Sequence, residues 1–303
     1  MLKETTIKDI VQYLKNFSNQ HTDLENEPNK ITLIQNVYSD IDIIFNKYNP
    51  SITPLTKQQI SFFTKIYKDA VDKTGGLVYI RRKDCLIDNV AELSINSFYP
   101  NIIRLFHLIG IMNELSYSFL VENKKEITSR LTPEEYKSFK IILNYKYGIL
   151  WKYNQEEGFK ISTFGKILLE NIITIDNLYD IVYIDTDSIF FYYTEETYNK
   201  LNNYLSILFT TELEHCGTCY FIDKKKYMKF ENIDMVKLKG IRPTPFYVNK
   251  DIKNYAYNHW CRYGNDKTYS DFIIWMMKEN IELFNKSKQI VKRIKKLKRI
   301  LHD

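Results

Sequence analysis

The chain has 303 residues and a formal net charge of +6 at neutral pH, and this length is enough for two domains with a sizeable core. The cysteines at positions 85, 216, 219 and 261 are too few and too scattered for a disulfide framework, so we expect Cys216 and Cys219 to be a reduced, metal-free pair. No signal peptide, transit peptide or apolar run of transmembrane length is present, which predicts an intracellular protein without a membrane partner.

The first part of the chain, residues 5–72, predicts helices joined by loops. One helix is indicated by apolar residues at helical spacing, namely Ile7, Ile10, Val11 and Leu14. Another is predicted for Gln58–Val71, after the break that Pro54 introduces. We therefore expect a helical N-terminal region.

Strands and helices are predicted to follow one another in the next part of the chain. Leu77–Ile80 and Val90–Ile95 have the alternating or continuous apolar pattern of strands. A helix is predicted to start at Tyr99-Pro100, and helical periodicity extends from Ile103 to Phe119.

A second helix start is predicted at Thr132, with Pro133 in the first helical position and acidic residues after it. This helix would place Lys140, Asn144 and Tyr147 on one face, because they are spaced i, i+4 and i+7. Such a face is either a ligand-binding surface or an ordinary amphipathic helix with solvated polar groups.

Two carboxylates, Asp185 and Asp187, lie between the apolar stretches Ile181–Ile184 and Ile189–Tyr193. The pattern predicts a hairpin of two buried strands whose tight turn presents both acids. Carboxylate oxygens are ligands that Mg²⁺ prefers, although an Asp-x-Asp turn is also common for purely structural reasons. Phe221–Tyr227 and Met235–Lys239 predict further strands.

The C-terminal part, residues 267–301, predicts mostly helix. Residues 286–299 contain eight Lys or Arg and no acid, opposite an apolar stripe. This basic face is either a solvated helix surface or a surface that contacts nucleic-acid phosphates.

Three of these segments together resemble the palm and fingers motifs of family B DNA polymerases. Tyr183–Ser188 resembles motif C, Tyr-Gly-Asp-Thr-Asp-Ser, and Ser94–Ile103 resembles motif A, Asp-x-x-Ser-Leu-Tyr-Pro-Ser-Ile-Ile. Lys140–Gly148, between them, resembles motif B, Lys-x-x-x-Asn-Ser-x-Tyr-Gly.

Shorter elements follow the family order as well. Ser162–Lys166 is similar to the Thr-x-x-Gly-Arg element, and Lys224–Tyr227 to the Lys-Lys-Arg-Tyr element, with Lys237–Ile241 after it. Lys73–Gly76 resembles the Tyr-x-Gly-Gly element ahead of motif A. The resemblance covers residues 73–241.

The resemblance implies an α+β right-hand polymerase fold with an antiparallel palm sheet, short helical fingers and a helical thumb. The implied division is a helical N-terminal region at 1–72, palm at 73–104, abbreviated fingers at 105–158, palm at 159–241, and a thumb with a basic helix at 242–303. Only about seventy residues precede the Gly-Gly element, fewer than the roughly 100–150 residues of a typical exonuclease-sized domain.

The implied function is a template-directed DNA polymerase core without its own proofreading, which adds deoxynucleotides to a primer 3′ end by two-metal phosphoryl transfer. Its partners would be primer–template DNA, deoxynucleoside triphosphates and a separate exonuclease or processivity subunit. Two Mg²⁺ ions, or Mn²⁺ in their place, would be held by Asp187 and Asp185. Lys140 would neutralise the triphosphate.

The resemblance also implies binding roles for other residues. The nucleotide would contact Ser97, Phe98, Tyr99, Lys140, Asn144 and Tyr147, with Tyr99 as the steric gate that excludes a 2′-hydroxyl. The DNA would contact Gly165, Lys166, Lys225, Tyr227, Lys292 and Lys296. Such phosphate contacts position a duplex without reading its sequence.

The chain departs from the family pattern at two positions that matter for chemistry. Tyr145 stands where motif B has Ser, and Ser94 stands where motif A has the metal-binding Asp. Glu92 is two residues earlier on the same face of the predicted strand, but one residue pair spans roughly 6.6 Å, so it is a poor substitute ligand. The alternative function is therefore a catalytically inactive polymerase-like subunit that binds DNA or acts as a scaffold in a replication complex.

Overall fold

A computed structural model describes residues 2–68, 76–82, 85–112, 114–174, 180–232 and 235–239. The predicted thumb, with its basic helix, Lys292 and Lys296, lies outside the described residues, as does the Gly-Gly element apart from Gly76. None of the helices in the described part of the chain is long and apolar enough to span a membrane.

The chain divides into two compact units. The helical unit comprises the described residues of Met1–Gly76, Ile95–Asn171 and Tyr204–Thr210. The sheet unit comprises those of Leu77–Ser94, Ile172–Asn203 and Thr211–Asp303. The predicted division into palm, fingers and thumb stays a prediction.

The helical unit begins with the predicted helical N-terminal region. Its helices are α1 (Leu2–Gln20), α2 (Lys30–Tyr48) and α3 (Lys57–Lys68). The apolar face predicted for α1 is buried, including Ile7 and Leu14, so the periodicity identified the core-facing side correctly.

The helical periodicity between Ile103 and Phe119 is divided between two helices, α4 (Phe98–Leu108) and α5 (Leu115–Glu122). The prediction of uninterrupted helix was wrong because Gly110 has a φ of +80°, a left-handed conformation that a right-handed helix does not contain. The short helix α6 (Lys124–Thr128) follows.

The predicted helix start at Thr132 is confirmed. Helix α7 (Pro133–Tyr153) begins with a capping box, in which the Thr132 hydroxyl accepts from the Glu135 backbone N–H at 3.3 Å. The Glu135 side chain in turn accepts from the Thr132 N–H at 2.7 Å. These bonds satisfy N–H groups that a helix start leaves without partners. Helix α8 (Gln155–Thr174) follows.

The sheet unit contains one seven-stranded sheet with the strand order β1-β3-β4-β2-β5-β6-β7. Every pairing whose register the structure describes is antiparallel, which confirms the predicted α+β class and antiparallel sheet. The strands are β1 (Val78–Ile80), β2 (Cys85–Ile95), β3 (Ile181–Asp185), β4 (Ser188–Tyr192), β5 (Thr211–Asp223), β6 (Lys226–Asn232) and β7 (Met235–Lys239). Helix α9 (Glu195–Leu205) connects β4 to β5.

The prediction of one strand over Phe221–Tyr227 was wrong. The segment contains the end of β5, a turn and the start of β6. The chain reverses at Lys224 and Lys225, and Lys225 has a left-handed φ of 60° that ends the extended conformation. Three lysines in succession gave no local signal for this reversal.

The core of the sheet unit is aromatic. Tyr183, Phe190, Phe221 and Tyr227 pack on one another with Cys216 and Cys219 beside them. Both cysteines are free thiols and fully buried. Residues three apart would lie on opposite faces of a regular strand, and the left-handed Gly217 between them (φ 66°) breaks that regularity.

Candidate active site

The predicted carboxylate hairpin is confirmed. Asp185 ends β3, Ser188 begins β4, and the turn residue Thr186 has a φ of 62°. The Asp187 N–H donates to the Asp185 carbonyl oxygen at 2.7 Å, and the Thr186 N–H donates to the Leu77 carbonyl oxygen at 3.0 Å. These backbone bonds hold the turn, and the Asp187 carboxylate also accepts a hydrogen bond from its own backbone N–H.

The two carboxylates differ in environment. Asp185 is only 8% exposed, whereas Asp187 is exposed at the tip of the turn. Protein around Asp187 nevertheless displaces water from one side, and this desolvation raises the pKa of Asp187. The nearby carboxylates of Asp185 and Glu92 raise it further, and Lys239 on β7 acts in the opposite direction. Negative charge is therefore concentrated here, as a cation-binding site requires.

The strand register places Ser94, the position that resembles motif A, in the same cross-strand row as Asp185 of the carboxylate hairpin. Ser94 on β2 is directly opposite Ser188 on β4, and Ser188 is directly opposite Asp185 on β3. Residues in one cross-strand row have side chains on the same face of the sheet. Ser94 and Asp185 therefore share a face, two strand spacings or about 10 Å apart along the backbone.

Glu92, the possible substitute ligand, is paired with a buried lysine. It lies opposite Phe190, is 5% exposed, and accepts a hydrogen bond from the Lys229 ammonium, which also donates to Glu214 at 2.9 Å. Burial by itself disfavours the charged Lys229, but the bonds to both glutamates outweigh it and raise the pKa of Lys229. A ligand role for Glu92 stays a prediction, in which the carboxylate would be shared with Lys229 or released from it.

The described residues contain no group of three or more His, Cys, Asp or Glu side chains that could hold a metal ion. Glu92 is near enough to raise the pKa of Asp187, but it does not complete a metal-holding group of three with Asp185 and Asp187 in the described part of the chain. Carboxylate oxygens are suitable ligands for Mg²⁺. A two-ion site bridged by carboxylates from two strands would need one carboxylate more than Asp185 and Asp187 provide.

The turn between β5 and β6 presents three exposed lysines, Lys224, Lys225 and Lys226. The Lys225 backbone N–H donates to the Tyr183 hydroxyl at 2.6 Å. Tyr227, by contrast, is buried in the aromatic core with 5% exposure, and this burial raises the pKa of Tyr227. The lysines are available to an anionic ligand, while a DNA contact by Tyr227 stays a prediction.

The helical unit contains the predicted nucleotide-binding face on α7. Lys140 and Asn144 are exposed and Tyr147 is half-buried, so all three reach one accessible side of the helix. The Tyr147 ring stacks on the Tyr99 ring with centroids 4.1 Å apart and planes 5° from parallel. This contact joins residues of motif A and motif B within one unit.

The residues that begin α4 have different surroundings. Ser97 has a left-handed φ of 51°, and its hydroxyl accepts from the Lys124 ammonium at 2.6 Å. Phe98 is 3% exposed and packs against Gly165 of α8, which is itself buried. Packing accounts for Phe98 and Gly165, and their nucleotide and DNA contacts stay predictions, as does that of the half-buried Lys166.

Sequence reasoning missed three buried or bonded lysines. Lys146 is 5% exposed, pairs with Glu114 and lies over the Tyr38 ring at 4.7 Å. It sits on the apolar stripe of α7, and a lysine in such a stripe is a signal that could have been noticed. Lys229 lies two residues after the buried Tyr227 on β6 and therefore on the same face, which is a similar signal. No such signal marks Lys124.

No family model matches this chain, and no curated protein matches it. Among solved structures, it is similar to the family B DNA polymerase from the hyperthermophilic archaeon Pyrobaculum calidifontis, with 14% sequence identity and a TM-score of 0.47. The similarity covers 89% of this chain and 45% of that polymerase chain, so this chain spans less than half of the polymerase's length.

Proposed function

We propose that this chain is the core of a template-directed DNA polymerase, which adds deoxynucleotides to a primer 3′ end. The observation that supports this most directly is the register of the sheet. The motif A position Ser94 and the motif C carboxylate Asp185 occupy one row of one face, with Asp187 at the adjoining turn. A site built from the two motif-like segments would need such a shared face.

In the proposed reaction, Asp185 and Asp187 would hold Mg²⁺ or Mn²⁺. When bound, the ion neutralises charge on the attacking and leaving oxygens of the phosphoryl transfer. The raised pKa of Asp187 reflects a desolvated site that gains when a cation binds, because the cation stabilises the ionised carboxylate.

The resemblance also suggests substrate contacts for residues that lie in the helical unit. Lys140 would neutralise the triphosphate, and Asn144 would lie along the incoming nucleotide. The stacked rings of Tyr99 and Tyr147 offer a flat apolar surface for a sugar and base, with Tyr99 as the group that rejects a 2′-hydroxyl. Lys124, bound to the Ser97 hydroxyl, adds a cation at the start of α4.

DNA would be held through its phosphates. Lys225, in the exposed turn of the sheet unit, and Lys166 are the described residues proposed for this role. Lys292 and Lys296 in the basic run 286–299 would add further contacts. Because phosphate contacts do not distinguish bases, binding would be independent of DNA sequence.

A second candidate function is a catalytically inactive subunit that binds primer–template DNA or acts as a scaffold. Two observations favour it. Ser94 is neutral where a bridging carboxylate is needed, and the nearest other acid on the strand, Glu92, is paired with Lys229. This candidate shares the DNA-binding surface with the first and differs only in the chemistry.

A primer-extension assay with Mg²⁺ and with Mn²⁺ separates the two candidates. Asp187→Asn is the blank, and Glu212→Gln, which neutralises an exposed carboxylate on β5, is the matched control. Extension by the parent and the control but not by Asp187→Asn supports the polymerase. DNA binding without extension in all three supports the inactive subunit, and absence of DNA binding contradicts both.

A further inference from the structure

Tyr183 connects two parts of the sheet that the strand order keeps apart. It lies on β3, two residues before Asp185, so both side chains are on the same face. Its hydroxyl accepts from the backbone N–H of Lys225, in the turn between β5 and β6. Strands β4 and β2 lie between β3 and β5, so in a flat sheet the backbones of β3 and β5 would be about 14 Å apart. The contact therefore shows that the β5–β6 turn lies over the face of the sheet that bears Tyr183.

The Tyr183 ring is held firmly on this face of the sheet. It is fully buried, stacks on Phe221 with centroids 4.9 Å apart, and meets Phe190 and Tyr227 edge-on at 5.7 and 5.3 Å. A ring fixed on three sides fixes the position of its hydroxyl. The hydroxyl is thus a rigid acceptor rather than one that can follow a moving partner.

The backbone conformation of Lys225 is one that a fixed hydrogen-bond acceptor can stabilise. Its φ of 60° is left-handed, a conformation that residues other than glycine seldom adopt. The 2.6 Å hydrogen bond from its N–H to Tyr183 stabilises the turn in this conformation. The hydrogen bond therefore fixes the position of the turn Lys224–Lys226 relative to β3.

We propose that the Tyr183 hydroxyl is a positioning group, which sets the basic turn Lys224–Lys226 relative to the carboxylates of the β3–β4 hairpin. This inference rests on the proposed DNA contact of Lys225. Tyr183 touches neither substrate nor metal in this scheme. It acts through the turn, so that phosphates bound by the lysines are held at a set distance from Asp185 and Asp187.

Tyr183→Phe tests the proposal, because it removes the hydroxyl and keeps the ring in its packing. Loss of one such hydrogen bond should weaken binding of a primer–template duplex by about threefold to tenfold. The same change should have no effect in a variant with alanine at 224, 225 and 226, since the lysines it positions are gone. Tyr48→Phe, which removes a 2.6 Å hydroxyl bond to Asp9 elsewhere, is the control and should leave binding unchanged.

An unchanged affinity for Tyr183→Phe, or an equal loss in the triple-alanine background, would overturn the proposal. Hydrogen exchange at the Lys225 amide gives a readout that does not depend on DNA. Faster exchange in Tyr183→Phe supports the anchor, and unchanged exchange overturns it. If the parent chain does not bind DNA, the proposed function fails, and exchange at Lys225 alone decides whether Tyr183 holds the turn.

Discussion

At the level of single residues, the decisive position is Ser94. It shares a row with Ser188 and Asp185, so a carboxylate there would face the same side as Asp185. Ser94 offers a neutral hydroxyl instead, and Glu92 is held by Lys229. Under the proposed function a second strand would contribute an anionic ligand from this row, and Ser94 does not supply one.

We expect Ser94→Asp to raise the rate of primer extension. A restored ligand worth about 3–4 kcal/mol in the transition state would raise the rate by roughly two to three powers of ten. Single-turnover extension with Mg²⁺ measures this, and Asp187→Asn in the same background should abolish the gain. A Ser94→Asp protein that binds DNA but stays inactive would favour the scaffold function. If the parent already extends primers well, Glu92→Gln becomes the informative variant.

His107 is a second residue whose environment has a measurable consequence. It is 3% exposed, its Nδ1 is 3.1 Å from the Ser118 hydroxyl, and Tyr117 meets the ring edge-on. Burial, assisted by the Lys146 ammonium, lowers the pKa of His107 to about 3. The folded protein therefore keeps this histidine neutral where the unfolded chain protonates it.

We predict that this histidine destabilises the fold in acid. The unfolded state binds a proton below about pH 6.5 and the folded state only near pH 3, so stability falls as the pH decreases through this window. The slope is up to about 1.4 kcal/mol per pH unit. Urea unfolding at pH 7.5, 5.5 and 4.5 should show a smaller loss for His107→Gln, which does not titrate. Parallel losses in both proteins would contradict the low pKa of His107.

At the level of elements, α8 packs closely against α4 at a glycine. A Cβ added at Gly165 would lie 3.0 Å from Phe98 Cε1 and 3.1 Å from Ile102 Cδ1. Both neighbours are buried, so neither can move without disturbing the core. This explains a glycine within α8 by helix packing, independently of any contact with DNA.

We expect Gly165→Ala to destabilise the fold, because overpacking costs about 1–3 kcal/mol and exceeds the gain in helix propensity of up to about 1 kcal/mol. Gly148→Ala in α7 is the matched control, since nothing lies within 4 Å of its added Cβ, and it should stabilise by about 1 kcal/mol. Chemical denaturation measures both. If Gly165→Ala keeps its stability but loses DNA affinity, the DNA-binding role implied for Gly165 gains support over packing.

At the level of the whole molecule, the positive charge is spread unevenly. The net charge is +6, yet the run 286–299 alone contains eight basic residues, and Lys224–Lys226 form a second group. Affinity that arises from phosphate contacts falls steeply with salt, because binding releases counterions from the DNA. Charge distribution, rather than net charge, is what the DNA-binding proposal depends on.

We predict that binding of primer–template DNA is independent of its sequence and falls linearly in a plot of log affinity against log salt. Each phosphate contact contributes about 0.9 to the slope. Removal of residues 286–303 should weaken binding and flatten that slope, and anisotropy titrations at several salt concentrations measure both. Unchanged affinity and slope after the truncation would contradict a DNA contact by this basic segment.

The sequence by itself determined the elements that depend on neighbouring residues. The hairpin with Asp185 and Asp187 and the start of α7 at Thr132 follow from local patterns, because turn geometry and helix capping involve residues only a few positions apart. The α+β class was implied by the resemblance of the motifs to those of family B DNA polymerases, and these motifs are visible in the sequence. The absence of a motif A carboxylate at Ser94 was also visible without a structure.

Only the tertiary structure decided which distant residues meet. The pairing of Glu92 with Lys229 and the bond from Lys225 to Tyr183 depend on how the strands are arranged in the folded sheet. A residue pattern indicates which face of a strand is buried, but it does not indicate which distant residue packs against that face. Buried charges and hydroxyls must find partners there, and those partners are brought close by the folding of the whole sheet.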